Sequence, residues 1–216
     1  MPKLLFSRLS VLVLFIAVAA CKTGGGSSTG TKILQPGAPG QDTRTISTAQ
    51  ATDLSKVGAT AADIKFMQGM IGHHAQAVEM VALIADRTAD PSMKMLGLRI
   101  QLSQEDEMKM MRKYLAERGA TVPGPHSHHE PGGFMPGMLT QEEMTQLANA
   151  KGVEFDRLFL MGMIKHHGGA ITMVEELFKT PGAGQEGGIY AFASDVVADQ
   201  NMEIDRMGAM LKEIMK

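Results

Sequence analysis

Two pairs of adjacent histidines, His73-His74 and His166-His167, carry most of the chemistry this chain can offer. Each pair closes a Met-Ile-x-His-His run, and a methionine follows each pair, Met80 after the first and Met173 after the second. Neutral imidazole nitrogen and thioether sulfur together suit soft metal ions, Cu(I) above all. On a helix Met70 lies three residues from His73 and four from His74, so its thioether can reach either ring, and Met163 stands in the same relation to His166 and His167. Adjacent residues on a helix diverge by about 100°, so one pair does not chelate one ion unaided. A site would combine one histidine with methionines or with the other pair. The candidate ligands are therefore His73, His74, His166, His167, Met70, Met80, Met163 and Met173.

Further donors extend the set. Met111 and Met207 lie on the helices expected to follow each pair. His126, His128, His129, Met135 and Met138 crowd into one loop-like stretch, where His-rich composition reads either as a weak metal site or as a solvated linker. The chain has 19 Met and no Trp. Methionine also fills irregular cores, so any one of these residues has a packing explanation; the clustering is what points to metal. Glu107 and Gln104 interrupt the apolar stripe Leu96, Ile100, Met111, Leu115, and Glu203 and Gln200 interrupt the stripe Val196, Met207, Leu211. Polar groups turned toward a core must find partners. They would either orient metal-bound imidazoles, or bond to the histidines alone in a metal-free scaffold.

The elements that must position these residues form a repeat. Phe66, Ala77, Met80 and Val81 match Phe159, Ala170, Met173 and Val174 at one offset of 93, and Gln104, Glu107 and Met111 match Gln200, Glu203 and Met207 at an offset of 96. Such internal similarity means one structural unit built twice. Thr60 with Asp63, and Thr140 with Glu143, read as capping boxes. The first predicts a helix to about Arg87. Asp90-Pro91 opens a second helix, to Arg118, with a stop at Gly119. The Thr140 box opens a short helix ending near Gly152. A third long helix runs from about Val153 to Lys179 and a fourth over 189–216. No stretch shows strand alternation. The fold class is all-α: a four-helix bundle of two repeated hairpins over 61–216, with repeat one at 61–118, a His/Met linker at 119–139 and repeat two at 140–216.

The N-terminus reads as an export signal over residues 1–20, with Lys3 and Arg8 before an apolar run too short to span a membrane. It ends at Val18-Ala19-Ala20-Cys21, which resembles a bacterial lipobox. Lipid on Cys21 would anchor the protein to an envelope membrane, facing the periplasm or the exterior. Residues 21–60 are Gly/Ser/Thr/Pro-rich and read as a flexible tether. A single cysteine excludes an intrachain disulfide and thiolate metal sites. The net charge of −2, without a basic patch, gives nucleic acid no footing.

The stretch from Phe155 to Met173, with its Met-Ile-Lys-His-His core, and the approach Met135-Pro-Gly-Met-Leu-Thr140, resemble the DUF305 family over about residues 60–216. The departures are small: Gly168-Gly169 stands where a charged residue and glycine are usual, and the His-rich linker is peculiar to this chain. The resemblance implies a ferritin-like bundle of the bacterial envelope, with members that bind copper or confer copper tolerance. The expected function is non-enzymatic: sequestration of copper, mainly Cu(I), with Ag(I) also possible as cargo. The ferritin-like alternative, a di-metal carboxylate enzyme or store, calls for Glu-x-x-His pairs, and none occurs. No catalytic nucleophile motif or phosphate-binding glycine loop is present.

Overall fold

The computed structural model describes residues 32–35, 43–52, 57–124 and 134–216. The export segment, Cys21, and the loop histidines His126, His128 and His129 lie outside the described residues. The chain divides into two units, Met1–Asp53 and Leu54–Lys216.

In the first unit β1 (Ile33–Gln35) pairs antiparallel with β2 (Arg44–Ile46), with Ile33 opposite Ile46, and α1 (Thr48–Thr52) follows. This strand pair departs from the strand-free reading of the sequence. Three residues per strand are too few to display a period of two, so the signal is invisible to pattern alone.

The second unit is the all-α bundle. At its start Thr60 Oγ1 accepts the Asp63 N–H while Asp63 Oδ2 accepts the Thr60 N–H at 2.7 Å, and α2 (Ala61–Ala82) follows. The helix expected to continue unbroken to Arg87 is interrupted at Leu83, whose N–H turns back to the Met80 carbonyl. The chain resumes as α3 (Ile84–Arg87). The break delivers Ile84 to Gly97, where its Cδ1 lies 2.4 Å from the point a Cβ would occupy. Asp90 caps α4 (Pro91–Glu117) by accepting the Ser92 N–H, and Gly119, at φ 63°, lets the chain leave the helix. The Thr140–Glu143 capping box opens α5 (Gln141–Asn149). Then come α6 (Gly152–Lys179) and α7 (Gly187–Ile214), the latter capped by the Glu186 carboxylate on the Gly188 and Ile189 amides.

The hairpins α2/α4 and α6/α7 meet chiefly through α2 against α6. These two helices cross antiparallel about a pseudo-two-fold axis. A Cβ on Gly69 would meet Met173, one on its equivalent Gly162 would meet Met80, and the rings of His73 and His166 meet midway. Buried side chains form two clusters, one on each side of the histidines. Each cluster joins both repeats: Met70 and Met111 with Met173 in the first, Met163 and Met207 with Met80 in the second. Two equivalent aspartates fasten the repeats together. Asp63 Oδ1 accepts the Gly184 N–H of the α6–α7 turn at 2.7 Å, and Asp156 Oδ2 accepts the Thr88 hydroxyl of the turn before α4 at 3.1 Å.

Candidate metal centre

All four histidines of the bundle are buried. The 100° step between neighbours on a helix sends the members of each pair different ways, with ring centroids 6.4 Å apart in the first and 6.2 Å in the second. His73 and His166 turn toward the axis and face one another at 3.8 Å, their planes 38° apart. His74 and His167 turn toward the other helix of their own hairpin. His74 Nε2 lies 2.5 Å from Glu107 Oε2, and His167 Nε2 lies 2.6 Å from Glu203 Oε2.

The hydrogen bonds fix the tautomer of the inner pair. His73 Nε2 donates to the Pro136 carbonyl at 2.9 Å, and His166 Nε2 donates to the His73 carbonyl at 3.0 Å. A carbonyl can only accept, so the proton sits on Nε2 and Nδ1 keeps its lone pair. Burial, then the charge of His74, pushes the His73 pKa down to about 3, against an ordinary value of 6.5. Burial, then His73, holds His166 well below its ordinary value. Both rings are neutral at physiological pH. The Nδ1 atoms of His73, His74, His166 and His167 are all buried without a hydrogen-bond partner. Leaving one such buried polar atom unsatisfied costs about 1–3 kcal/mol, and here four occur where two helices cross.

The other candidate residues fall into place around this row. Gln104 and Gln200 are buried, and the Oε1 of each has no partner. Asp199 on α7 lies near Glu107 and Glu203, and desolvation followed by these two charges pushes its carboxyl up. Met70, Met80, Met111, Met163, Met173 and Met207 are core residues of the two flanking clusters. The linker methionines belong to the bundle as well. Met138 is buried and its sulfur accepts the Met135 N–H at 3.3 Å; Met135 packs on the first cluster, its Sδ 3.2 Å from the Cβ position of Gly69. Among the described residues no three His, Cys, Asp or Glu side chains converge as one metal-binding group.

The linker contributes more than its sulfurs. Gln76 clamps it through two buried bonds, Nε2 to the Leu139 carbonyl and Oε1 from the Leu139 N–H, each 2.8 Å. Gly137, at φ 76°, lies directly on Gly169 of α6. A Cβ on Gly169 would fall 1.9 Å from the Pro136 carbonyl oxygen. So a backbone carbonyl is carried to His73 Nε2 by a turn that only two facing glycines admit. Sequence reasoning missed Gln76, Pro136 and these glycines. For Gly69 and Asp63 a signal existed, since Gly162 and Asp156 repeat them at the offset of 93.

The family model described as a domain of unknown function, DUF305, matches residues 63–211. The chain belongs to the DUF305 family. A DUF305 protein from Streptomyces coelicolor, described as secreted, has a solved structure 31% identical to this chain, with a TM-score of 0.62 over 71% of this chain and 93% of that one. CopM, solved in Cu(I)-bound, Cu(II)-bound, Ag-bound and apo forms, is similar at the same level of fold. Its Cu(I) form is 25% identical with a TM-score of 0.55, over 70% of this chain and 96% of CopM. An uncharacterised protein, L153, of Acanthamoeba polyphaga mimivirus is 41% identical over 56 residues, which are 26% of this DUF305 chain and 37% of the viral protein.

Proposed function

We propose that this DUF305 protein binds copper, as Cu(I) in preference, and takes Ag(I) in the same way, holding the metal without transforming it. The observation that carries this reading is the row of four buried Nδ1 atoms with no hydrogen-bond partner. Two carbonyls and two carboxylates already satisfy every Nε2, so the free face of each ring is Nδ1. Protons do not fill that need for His73 and His166, because burial keeps these rings neutral. A soft cation does, with sulfurs of the flanking clusters completing its ligands. Glu107 and Glu203 then act as the outer partners that fix ring orientation and raise imidazole basicity. The di-metal carboxylate alternative calls for Glu-x-x-His pairs, which the sequence does not contain. The Cu(I), Cu(II) and Ag forms of CopM support the choice of metal.

A metal-free scaffold has its own support in the short His74–Glu107 and His167–Glu203 bonds. It leaves all four Nδ1 atoms and two glutamine oxygens unexplained. The protein's place is the bacterial envelope, tethered through lipid on Cys21. The export-type N-terminus supports this, as does the secreted relative; no helix of the described residues is long and apolar enough to cross a membrane.

The test is an anaerobic titration of the purified protein with Cu(I) against a chromogenic chelator, beside a variant with His73, His74, His166 and His167 changed to Ala. Binding that weakens by about tenfold or more in the variant, with helix content retained, fits the proposal. Binding that survives unchanged moves the metal to the linker histidines or to surface methionines. Failure to compete at all removes copper from the account.

A further inference from the structure

The pseudo-two-fold relation makes the two methionine clusters equivalent in sequence, yet the structure treats their ends differently. Met173 lies against Gly69 and Met80 against Gly162, each Cε within 3.4 Å of the Cβ position of the facing glycine. At the second end Leu139 closes over: its Cδ2 is 3.1 Å from the Gly162 Cβ position, and Leu147 of α5 belongs to the same cluster. Met80 is wholly buried there. At the first end no leucine takes that role. Met135 occupies the place of Leu139, and beside it opens a cavity of about 480 Å³ lined by Phe66, Gly69, Gly72, Met135, Pro136 and Met173. Met173 is 8% exposed, where its equivalent Met80 is 0%.

The contents of this pocket are specific. The sulfur of Met135 on the linker and the thioether methyl of Met173 on α6 approach one point above Gly69, which has no side chain to separate them. The pocket wall continues through Gly72 and Pro136 to His73, whose Nε2 is bonded to the Pro136 carbonyl. A cation entering here would meet the Met135 and Met173 side chains and reach Gly72, the residue before His73. On the second cluster a cavity of about 610 Å³ opens at Leu96 and Met210, and Met80 itself stays wholly buried beneath Leu139.

Building on the copper reading, we propose that the two clusters have different exchange roles. The Met135–Met173 pocket is the port through which a soft monovalent cation enters and leaves. The Met80–Met163–Met207 group, its three methionines wholly buried and Leu139 lying over Gly162, is a store that releases its ion slowly. Exchange of thioether ligands one at a time lets the ion pass inward without being set free. Lys65 and Glu176 also line the pocket with opposite charges, so its preference for a soft over a hard divalent ion rests on the two thioethers.

The experiment loads the protein with Cu(I) anaerobically and follows its transfer to excess chromogenic chelator by stopped flow. Two phases are expected. Met135→Leu, which keeps the volume and removes the sulfur, slows the fast phase by about tenfold or more, and leaves the slow phase unchanged. Gly69→Ala, whose Cβ would fall between Met135 and Met173, does the same and serves as the second variant should one of them fold poorly. Gly162→Ala meets matching crowding, 3.1 Å and 3.3 Å against 3.2 Å and 3.4 Å at Gly69, and leaves the fast phase as it was. A single phase, or equal slowing by the Gly69 and Gly162 variants, overturns the port while copper binding stands. No bound Cu(I) at equilibrium overturns both.

Discussion

The contact between the linker and α6 makes the neighbouring glycines Gly168 and Gly169 respond oppositely to the same change. A Cβ at Gly168 meets nothing within 4 Å, so Gly168→Ala brings only the helix-propensity gain of about 1 kcal/mol. The three atoms nearest a Cβ at Gly169 are all backbone: the Pro136 oxygen at 1.9 Å, the Pro136 carbonyl carbon at 2.4 Å and Gly137 Cα at 2.6 Å. No rotamer relieves that overlap, so Gly169→Ala must lift the 134–139 segment off the helix. Lifting it breaks both Gln76–Leu139 bonds and the His73–Pro136 bond. At about 1 kcal/mol per bond, plus 1–3 kcal/mol for the buried His73 N–H left without an acceptor, the loss is about 4–6 kcal/mol. Relaxation of the linker and the propensity gain bring the net to about 3 kcal/mol. In a domain of this size that lowers Tm by roughly 6–12 °C, while Gly168→Ala raises it by roughly 2–4 °C. Thermal unfolding of the purified apo protein, followed by circular dichroism at 222 nm, reads both. Equal stability of the two variants would refute the claim that the Pro136–Gly137 turn rests on α6.

The apo protein loses stability in acid through its inner histidines. The folded His73 ring titrates near 3 and the unfolded one near 6.5, so between those values the unfolded chain holds the extra proton. This contribution is complete above pH 6.5 and declines toward pH 3, by up to about 1.4 kcal/mol per pH unit for His73, with His166 acting in the same direction. Urea midpoints at pH 7 and pH 5 test it; a flat profile contradicts it, and His73→Asn should reduce the slope. The two cross-repeat aspartates should behave unlike each other. Asp63 satisfies two backbone amides, of Thr60 and Gly184, with its two oxygens, so Asp63→Asn costs about 1–3 kcal/mol. Asp156 has an unpartnered Oδ1, and desolvation pushes its carboxyl up. Asp156→Asn therefore keeps the Thr88 bond and at pH 7 leaves stability unchanged within about 0.5 kcal/mol, or raises it. Denaturant unfolding of the two variants side by side decides the matter, and an equal loss in both would be the contrary result.

The repeat, the all-α class of the bundle and the seating of the histidine pairs on its first and third long helices are legible in the sequence. These follow from local physics: capping boxes at Thr60 and Thr140, proline at the start of α4, and apolar residues at helical spacing all act within a few residues. It also held the divergence of each His pair, since that is set by the 100° step of the helix. Which rings meet depends on how the helices pack. His73 faces His166 and not its own neighbour because α2 and α6 cross antiparallel at that level, a result of packing between segments 93 residues apart. The same crossing sorts the methionines so that Met173 joins Met70 and Met80 joins Met163, a pairing no spacing rule contains. The carbonyl of Pro136 carries no side-chain signal at all. It reaches His73 because Gly137 and Gly169 let two backbones touch, and the sequence records only two glycines among 24.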